Sequence, residues 1–564
     1  MKDASARALY SVGNCYENGI GIEKDEHKAF VYYQKSADMG DVDGTFQVGY
    51  CYENGIGIES DVHNAFIYYQ QSAELGHVYG TFKLGVCYDD GIGVERNEHS
   101  AFIYYQKSAE LELPGGIYAV GNCYLNGIGV EKNDHKAFIY YKKTADMGIS
   151  TGMNSLATCY SEGIGVEKDG YKAFTYYQKS AELGNATEGT YNVGSCYEDG
   201  LGVEKNEHKA FIYYQKSADM GNVDGIFQVG YCYENGIGIE TDEYKAFTYY
   251  QKSAEMGHAD GTFRLGVCYQ NKIGTEKDEN KAFLYYQKSA EMGNAEGMYA
   301  IGYCYINGIG VEKNEHKAFI HYLKSDEMGF VVGTYNVGGC YEDGIGVEKD
   351  ENKAFIYYQK SAEMGDVNGT YSLANCYQNG IGVEKNENKA FIYYKKSAEM
   401  GDADGMLKVV GYCYHHGIGV EKDEHMAFIN YLKSANMGDI EGMFNVGDCY
   451  ENGIGVEKDE CMAFVYYKKS ADSGLSEGMC NTGYFYENGI GVEKNENKAF
   501  IYYKRSADME DAKGLYSVGS CYENGIGIEK DKNKAFIYYQ KSADMGDPEG
   551  MYKVNGCYNM ELEL

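Results

Sequence analysis

The chain has 564 residues, with 60 tyrosines and 74 glycines but no tryptophan and only two prolines. Its hydrophobic content of 44% is too high for a disordered chain, and so few prolines argue against several loop-rich domains. The net charge of −34 makes nucleic acid or an anionic membrane surface an unfavourable partner. No apolar run approaches the length of about 18 residues that a membrane span requires, and the N-terminus lacks the apolar core of a signal peptide.

One position of the sequence is cysteine at intervals of 36 residues, with two intervals of 37 and a single phenylalanine, Phe485, in the series. A fixed period of this length indicates stacked structural repeats. We predict a single solenoid over 1–564 with about fifteen repeats, from 8–43 onward, and a half repeat at 550–564. One-residue insertions are expected near 185–188 and 406–412. The cysteines of the series are Cys15, Cys51, Cys87, Cys123, Cys159, Cys196, Cys232, Cys268, Cys304, Cys340, Cys376, Cys413, Cys449, Cys521 and Cys557.

Each repeat predicts two helices, here called helix A and helix B. In the repeat from Gly44, apolar residues three and four apart predict helix A, and Ala65 and Tyr69 lie on one face of helix B. Asp or Asn precedes helix B in every repeat, as a helix N-cap requires. Glycine usually ends helix B in a left-handed conformation, and two further glycines, such as Gly55 and Gly57, allow a tight connection between the helices.

Three departures from the period give separate expectations. Glu112 and Glu510 replace the glycine after helix B, so irregular turns are predicted there. The extra residue between Gly184 and Gly189 falls in a loop between repeats. The second extra residue falls inside a predicted helix A, where we expect a π-type bulge near Val409–Val410.

The repeat resembles the Sel-one-like repeat, a relative of the tetratricopeptide repeat. The resemblance implies an all-α, right-handed α/α superhelical solenoid of helix–turn–helix repeats, and proteins that assemble complexes, including signalling and quality-control machinery. Tyrosine stands here where the family often has tryptophan in helix B. One repeat carries the motif at Gly80, Leu84, Gly85, Tyr88, Gly91, Gly93, Val94, Asn97, Ala101, Tyr104, Tyr105, Lys107, Ser108 and Ala109.

Two recurring residue types could suggest chemistry. The single cysteine of each repeat is predicted to be a free, buried thiol, because stacked repeats lie about 10 Å apart and a disulfide requires Cα atoms within about 7 Å. This favours a reducing compartment, and we expect a cytoplasmic protein. The histidine in the first turn of many B helices, as in His27, is predicted to be solvated, since its spacing cannot gather zinc ligands. No metal and no cofactor are expected.

Near-identical repeats make the differing positions informative. Counting the glycine of helix A as position 1, positions 4 and 7 vary most and share a helix face. In tetratricopeptide-like superhelices helix A lines the concave surface, so these side chains are candidates for partner binding, although a solvated face without function would vary in the same way. Position 10 is often acidic and is expected to form an acidic rim. The candidates are Tyr50, Lys83, Tyr231, Arg264, Tyr303, Lys408, Tyr412 and Tyr484.

The favoured function is a non-catalytic scaffold or adaptor that binds a partner protein or an extended peptide on its concave surface. The partner segment is expected to be acidic or polar and to lie mainly between Gly225 and Gly333, where Tyr231, Arg264 and Tyr303 could contact one segment. One alternative is a hydrolase of the type proposed for cysteine-rich Sel-one-like proteins, although their paired cysteines are missing here. Another is a regulatory region split from a larger signalling protein.

Overall fold

The computed structural model describes residues 2–183, 187–401 and 406–562, with side chains also left undescribed at 2–4, 406–408 and 556–562. Every regular element in the described residues is an α-helix, which confirms the predicted all-α class. Residue contacts divide the chain into two compact units, Met1–Met292 and Gly293–Leu564, and each is described by itself.

Helices with odd numbers are A helices and those with even numbers are B helices. The first unit contains α1 (Lys2–Asn18), α2 (Glu26–Asp38), α3 (Val42–Asn54), α4 (Val62–Glu74), α5 (Val78–Asp90), α6 (Glu98–Glu110), α7 (Pro114–Asn126), α8 (Asp134–Asp146), α9 (Ser150–Glu162), α10 (Gly170–Glu182), α11 (Thr187–Asp199), α12 (Glu207–Asp219), α13 (Val223–Asn235), α14 (Glu243–Glu255), α15 (Ala259–Asn271) and α16 (Glu279–Glu291). The second unit contains α17 (Ala295–Asn307), α18 (Glu315–Glu327), α19 (Val331–Asp343), α20 (Glu351–Glu363), α21 (Val367–Asn379), α22 (Glu387–Glu399), α23 (Met406–His416), α24 (Glu424–Asn436), α25 (Ile440–Asn452), α26 (Glu460–Asp472), α27 (Ser476–Asn488), α28 (Glu496–Asp508), α29 (Ala512–Asn524), α30 (Lys532–Asp544) and α31 (Pro548–Leu562).

The predicted caps set the helix boundaries. The Asp25 carboxylate accepts a hydrogen bond from the backbone N–H of Lys28 at 2.9 Å, at the start of α2. Asp41 accepts one from the N–H of Gly44 at 2.7 Å, at the start of α3. Gly55 has a φ of 69°, in the left-handed region, and ends α3. These bonds satisfy first-turn N–H groups that have no partner within the helix.

The two predicted irregular turns are regular. Glu112 has a φ of 61° and Glu510 a φ of 59°, so both adopt the left-handed conformation that glycine adopts in other repeats. The N–H of Glu112 donates to the carbonyl of Ala109 at 3.0 Å, as the N–H of Gly76 does to Ala73. The repeat therefore keeps its turn geometry and the glutamate carries the backbone strain, which costs about 1 kcal/mol for a residue with a Cβ.

The predicted π-type bulge is wrong, because α23 is an uninterrupted α-helix from Met406 to His416. Val410 is buried three residues before Cys413, as Val48 is before Cys51. From Val410 to Cys413, the helix therefore has the same register as the other A helices. The other insertion, near 185–188, falls largely outside the described residues.

Within a repeat, the two helices pack through a small residue and a large one. A Cβ added to Gly49 of α3 would lie 3.0 Å from the Tyr69 ring of α4, so the glycine permits this close approach. Tyr69, Val48, Cys51 and Ala65 are buried. Burial of the tyrosine ring contributes the larger apolar area, on the order of 2–3 kcal/mol per side chain.

Between repeats, helix B packs against the connection of the repeat that follows it. Gly57 has a φ of 68°, and a Cβ there would lie 2.0 Å from the carbonyl oxygen of Glu26. The His27 ring nitrogen Nδ1 lies 2.9 Å from the carbonyl oxygen of Gly57. The first-turn histidines are exposed as predicted, but each forms this bond to the next repeat: His27, His63, His99, His135, His208, His316 and His425.

Tyrosine and phenylalanine extend the core from repeat to repeat. Phe211 of α12 meets Tyr233 of α13 edge to face, with ring centroids 5.4 Å apart. Tyr233 also stacks on Tyr249 of α14 at 6.0 Å. Lys245 lies over the Tyr233 ring at 4.8 Å, a cation–π contact. The high tyrosine content is therefore explained by packing both within and between repeats.

The predicted burial of the cysteines is confirmed for the described members of the series, of which only Cys15 is partly exposed. Their sulfurs are free thiols in the structure. Burial raises the pKa of the Cys232 thiol to about 12 and that of Cys159 to about 11. Such thiols remain protonated at neutral pH, so they act as small apolar core groups.

One helix cap makes stability depend on pH. His77 caps α5 by accepting a hydrogen bond from the N–H of Gly80 at Nδ1, at 3.0 Å. Burial lowers the pKa of His77 from 6.5, against the opposing effect of the Asp43 carboxylate 3.4 Å away. Nδ1 can accept only while it is unprotonated, so this contribution is present above pH 6.5 and is lost as the pH falls through the lowered pKa.

We expect His77→Asn to reduce the loss of thermal stability between pH 7 and pH 5, because asparagine caps without titrating, as Asn222 does. The Tm values of the variant and the wild type should therefore approach or cross as the pH falls, with a difference of about 1 °C to 3 °C from a cap of roughly 1 kcal/mol. Parallel pH profiles for the two proteins would contradict this role of His77.

Candidate interaction surface

The side chains at positions 4 and 7 of the A helices form one surface in each unit, here called the A face. Lys83, at position 4, places Nζ 2.9 Å from Oε2 of Glu53, at position 10 of the preceding repeat. Arg264, at position 4, lies over the Tyr231 ring, at position 7 of the preceding repeat, at 5.8 Å. Position 4 of one repeat is therefore adjacent to positions 7 and 10 of the repeat before it.

The tyrosines at position 7 differ in exposure. In the second unit, Tyr303, Tyr412 and Tyr484 are 41%, 48% and 49% exposed. In the first unit, Tyr50 is exposed at 36%, and Tyr231 is partly buried beneath Arg264. A tyrosine ring of this kind offers a large contact area with few rotatable bonds. The side chain of Lys408 lies outside the described residues, so its candidate role stays a prediction.

Position 10 does not form a free acidic rim, because its carboxylate holds a buried tyrosine from helix B. The Tyr503 hydroxyl donates to Oε2 of Glu487 at 2.7 Å. Tyr467 donates in the same way to Glu451 at 2.6 Å. Burial of the ring and this carboxylate raise the pKa of Tyr467 far above 10, so the phenol remains a donor. A buried hydroxyl requires such an acceptor, and the pairs recur in most repeats.

In two repeats whose position 10 lacks a carboxylate or amide, position 7 supplies the partner. Leu125 occupies position 10 in one repeat, and the Tyr141 hydroxyl instead donates to Oδ1 of Asn122 at 2.7 Å. In the next repeat, the hydroxyls of Thr158 and Tyr177 lie 3.0 Å apart. Part of the variation at position 7 is therefore explained by the hydrogen bond of a core tyrosine and does not indicate partner binding.

The basic side chains of the A face that the structure describes are engaged within the chain. Lys553 places Nζ 2.6 Å from Oε2 of Glu523, which matches the Lys83–Glu53 pair, and Arg264 covers Tyr231. The side chains of both lysine–glutamate pairs remain partly exposed to solvent. Each pair therefore stabilises the chain by about 1 kcal/mol or less. Sequence reasoning missed the pairs, since positions 10 and 4 lie 30 residues apart and only the stacking of two repeats brings them together.

A protein-family model of the Sel1 repeat matches fifteen segments of this chain: 6–41, 42–77, 78–113, 114–149, 150–185, 187–222, 223–258, 259–294, 295–330, 331–366, 368–402, 409–439, 440–475, 476–511 and 512–547. The matched segments coincide with the helix A–helix B pairs of the structure. The chain belongs to the Sel1 repeat family. The resemblance seen in the sequence is thereby confirmed.

Solved structures with Sel1 repeats are similar to this chain. One is the protective antigen c5321 of uropathogenic Escherichia coli, which displays an SLR fold; it is 30% identical, with a TM-score of 0.52, over 79% of this chain and 96% of the antigen. A Sel1 repeat protein from Oxalobacter formigenes is 23% identical over 55% of this chain and 90% of its own, with a TM-score of 0.46. No match was found among curated proteins.

Sel1 repeat proteins are generally protein-interaction scaffolds. In the described part of this Sel1 repeat chain, no group of three or more His, Cys, Asp or Glu side chains is arranged to hold a metal ion. Its helices within those ranges are also too short or too polar to cross a bilayer. The A face of these Sel1 repeats combines exposed tyrosine rings with charged side chains that are paired within the chain.

Proposed function

We propose that this Sel1 repeat protein is a non-catalytic scaffold that binds a partner protein, through an extended segment, on the A face. The observation that carries the proposal is the series of exposed tyrosines at position 7 in the second unit, Tyr303, Tyr412 and Tyr484. Their rings lie on α17, α23 and α27, which also bury Cys304, Cys413 and Phe485 in the core. Binding energy in protein interfaces concentrates in such aromatic side chains.

The chemistry of the partner segment follows from the charges on the A face. Lys83 and Lys553 are paired with carboxylates of the preceding repeats, so they offer little free positive charge to an acidic segment. Tyrosine hydroxyls and the polar residues at position 4 suit a polar segment. We therefore propose a polar partner and give less weight to an acidic one. The proposed location is the cytoplasm, which the free thiols of the series support.

The hydrolase alternative receives less support. A cysteine nucleophile acts as a thiolate, whereas burial raises the pKa of thiols such as Cys232 to about 12.

The sequence predicts that Tyr231, Arg264 and Tyr303 contact one partner segment. We restrict this proposal to the residues that lie in a single unit. In the first unit, Arg264 and Tyr231 form a cation–π pair that could receive a partner residue beside it.

The proposal predicts that replacing the exposed tyrosines removes binding without unfolding. The full chain with Tyr303, Tyr412 and Tyr484 changed to serine should capture its partner at least tenfold less efficiently, because each lost aromatic contact costs on the order of 1 kcal/mol or more. Circular dichroism should remain unchanged, since these side chains are about half exposed. Capture from a cell extract is measured by quantitative mass spectrometry.

The matched control changes three exposed isoleucines of B helices in the same unit to serine. Ile356, Ile392 and Ile501 are 58%, 59% and 54% exposed, so they match the tyrosines in number and apolar character. This variant should retain the partners that the tyrosine variant loses. Partner loss in the isoleucine variant alone would place the binding surface on the B helices and contradict the proposed A face.

A further inference from the structure

Position 3 of helix A carries an aromatic ring in most repeats, and this ring packs on the buried tyrosine of helix B. In the second unit, the Phe444 and Tyr467 ring centroids are 5.3 Å apart, and those of Tyr516 and Tyr539 are 5.4 Å apart. Cys480 occupies position 3 in the repeat between these two. The corresponding tyrosine, Tyr503, therefore lacks the aromatic partner that most of its equivalents have.

The missing ring coincides with a cavity of about 610 Å³ along the A face. Cys480 and Tyr503 line it, together with Lys513, the last residue of the repeat. In another repeat the position-3 ring of Phe82 reaches this same place, since a Cβ on Gly115 would lie 3.5 Å from it. A phenylalanine at position 480 would thus occupy part of the cavity.

Asn154 shows that losing the ring does not by itself produce a cavity of this size. It also occupies position 3, but its Oδ1 accepts a hydrogen bond from Nδ2 of Asn192 at 2.8 Å. The cavity beside Asn154 has a volume of only about 160 Å³. The repeat of Cys480 therefore differs in having both a small side chain and open space next to it.

The walls of the larger cavity combine aromatic rings with negative charge. Tyr484, Tyr503 and Tyr516 supply the rings, and a separate group of charged residues comprises the carboxylates of Glu487, Asp547 and Glu549 and the ammonium of Lys513. Oε2 of Glu487 accepts the Tyr503 hydroxyl at 2.7 Å, and Glu487 keeps a second carboxylate oxygen as an acceptor. Rings beside a carboxylate suit a planar cation, which can stack on tyrosine while it donates hydrogen bonds.

The thiol of Cys480 is not positioned for covalent chemistry. It lies 3.3 Å from Oγ of Ser506 and 3.4 Å from Oδ2 of Asp511, and it is buried. Burial raises the pKa of this thiol to about 12, so it is a poor nucleophile at neutral pH. Its small volume, rather than its reactivity, distinguishes this repeat.

We propose that this cavity binds the guanidinium of an arginine side chain carried by an extended segment of a protein partner. The inference rests on the proposed scaffold function and assigns the chemistry of one contact. The carboxylates of the walls outnumber the single ammonium, and the chain's net charge of −34 attracts a cationic segment over a longer range. A guanidinium meets the Tyr484 and Tyr516 rings and donates to Glu487, whereas a neutral side chain gains only the ring contacts.

The test uses the full chain and two fluorescent pentapeptides, acetyl-Gly-Ser-Arg-Ser-Gly and the same peptide with citrulline, the neutral isostere of arginine. The arginine peptide should bind at least tenfold more tightly in fluorescence polarisation at 150 mM salt. Cys480→Phe restores the ring of the other repeats and should weaken arginine binding at least tenfold. Glu487→Gln keeps an acceptor for Tyr503 and should weaken it at least threefold.

Asn154→Phe is the matched control, because it places the same ring at position 3 in the first unit, and it should leave binding unchanged. Equal affinity of Cys480→Phe and wild type would show that the peptide rests on the general acidic surface, and it would overturn the cavity assignment. Glu487→Gln decides the question if Cys480→Phe fails to fold. Partner capture that depends on the position-7 tyrosines but not on Cys480→Phe would refute this inference alone and leave the scaffold function standing.

Discussion

Gly129→Ala is expected to separate two neighbouring repeats and to lower stability by more than 3 kcal/mol. Gly129 has a φ of 66°, and a Cβ there would lie 2.0 Å from the carbonyl oxygen of Glu98 in α6. The backbone fixes the position of the added Cβ, and the atom it meets is a backbone carbonyl oxygen, so no side-chain rotation can relieve the overlap. The shift would also break the contact between Nδ1 of His99 and the Gly129 carbonyl, which is 3.1 Å long. Left-handed strain alone costs about 1 kcal/mol, and overpacking adds the remainder.

Gly148→Ala is the matched control for this substitution. Gly148 also has a positive φ, 80°, but an added Cβ would meet nothing within 4 Å. Urea unfolding followed by circular dichroism should give a loss of about 1 kcal/mol for the control. Hydrogen exchange should show increased opening in α6 to α8 for Gly129→Ala, because each repeat is stabilised mainly by its neighbours. Similar losses for the two variants would show that the close approach at Gly129 contributes nothing.

This glycine illustrates how far the sequence predicts the fold. The period, the Asp or Asn caps and the glycines define helix boundaries locally, so the helix pairs could be predicted from single repeats. The positive φ of Gly57 was predicted on the same basis. Its approach to Glu26 was not, because that contact requires the relative position of two repeats. The prediction of a bulge at Val409–Val410 was wrong, because the extra residue does not disturb the described helix Met406–His416.

The candidate site was predicted less completely than the fold. The sequence indicated a variable face, but it could not divide position 7 into side chains that serve a core tyrosine, such as Asn122, and exposed ones such as Tyr484. The residues at positions 10 and 26 lie 16 apart on different helices, so no helical spacing connects them. The cavity beside Cys480 did have a sequence signal, because aromatic residues recur at position 3 and this repeat interrupts them.

Tyr250→Ala is expected to destabilise the first unit by about 3–5 kcal/mol, the range for removing a large core side chain. Tyr250 is fully buried, and its ring lies against Gly230 and 5.8 Å from the Phe227 ring. Its hydroxyl donates to Oε2 of Glu234 at 2.5 Å. The alanine variant would lose the ring contacts and leave the carboxylate without its donor.

Three further variants separate these contributions by urea unfolding. Tyr250→Phe keeps the ring and should cost about 1–2 kcal/mol for the lost hydrogen bond. Glu234→Gln should be nearly neutral, because Gln270 accepts the Tyr286 hydroxyl at 2.8 Å in the next repeat. Tyr244→Ala, at a side chain 71% exposed, should change stability by less than about 0.5 kcal/mol. If Tyr250→Ala costs no more than Tyr244→Ala, the buried tyrosine and its carboxylate do not hold the helix pair together, and position 10 is free to contribute to the binding surface.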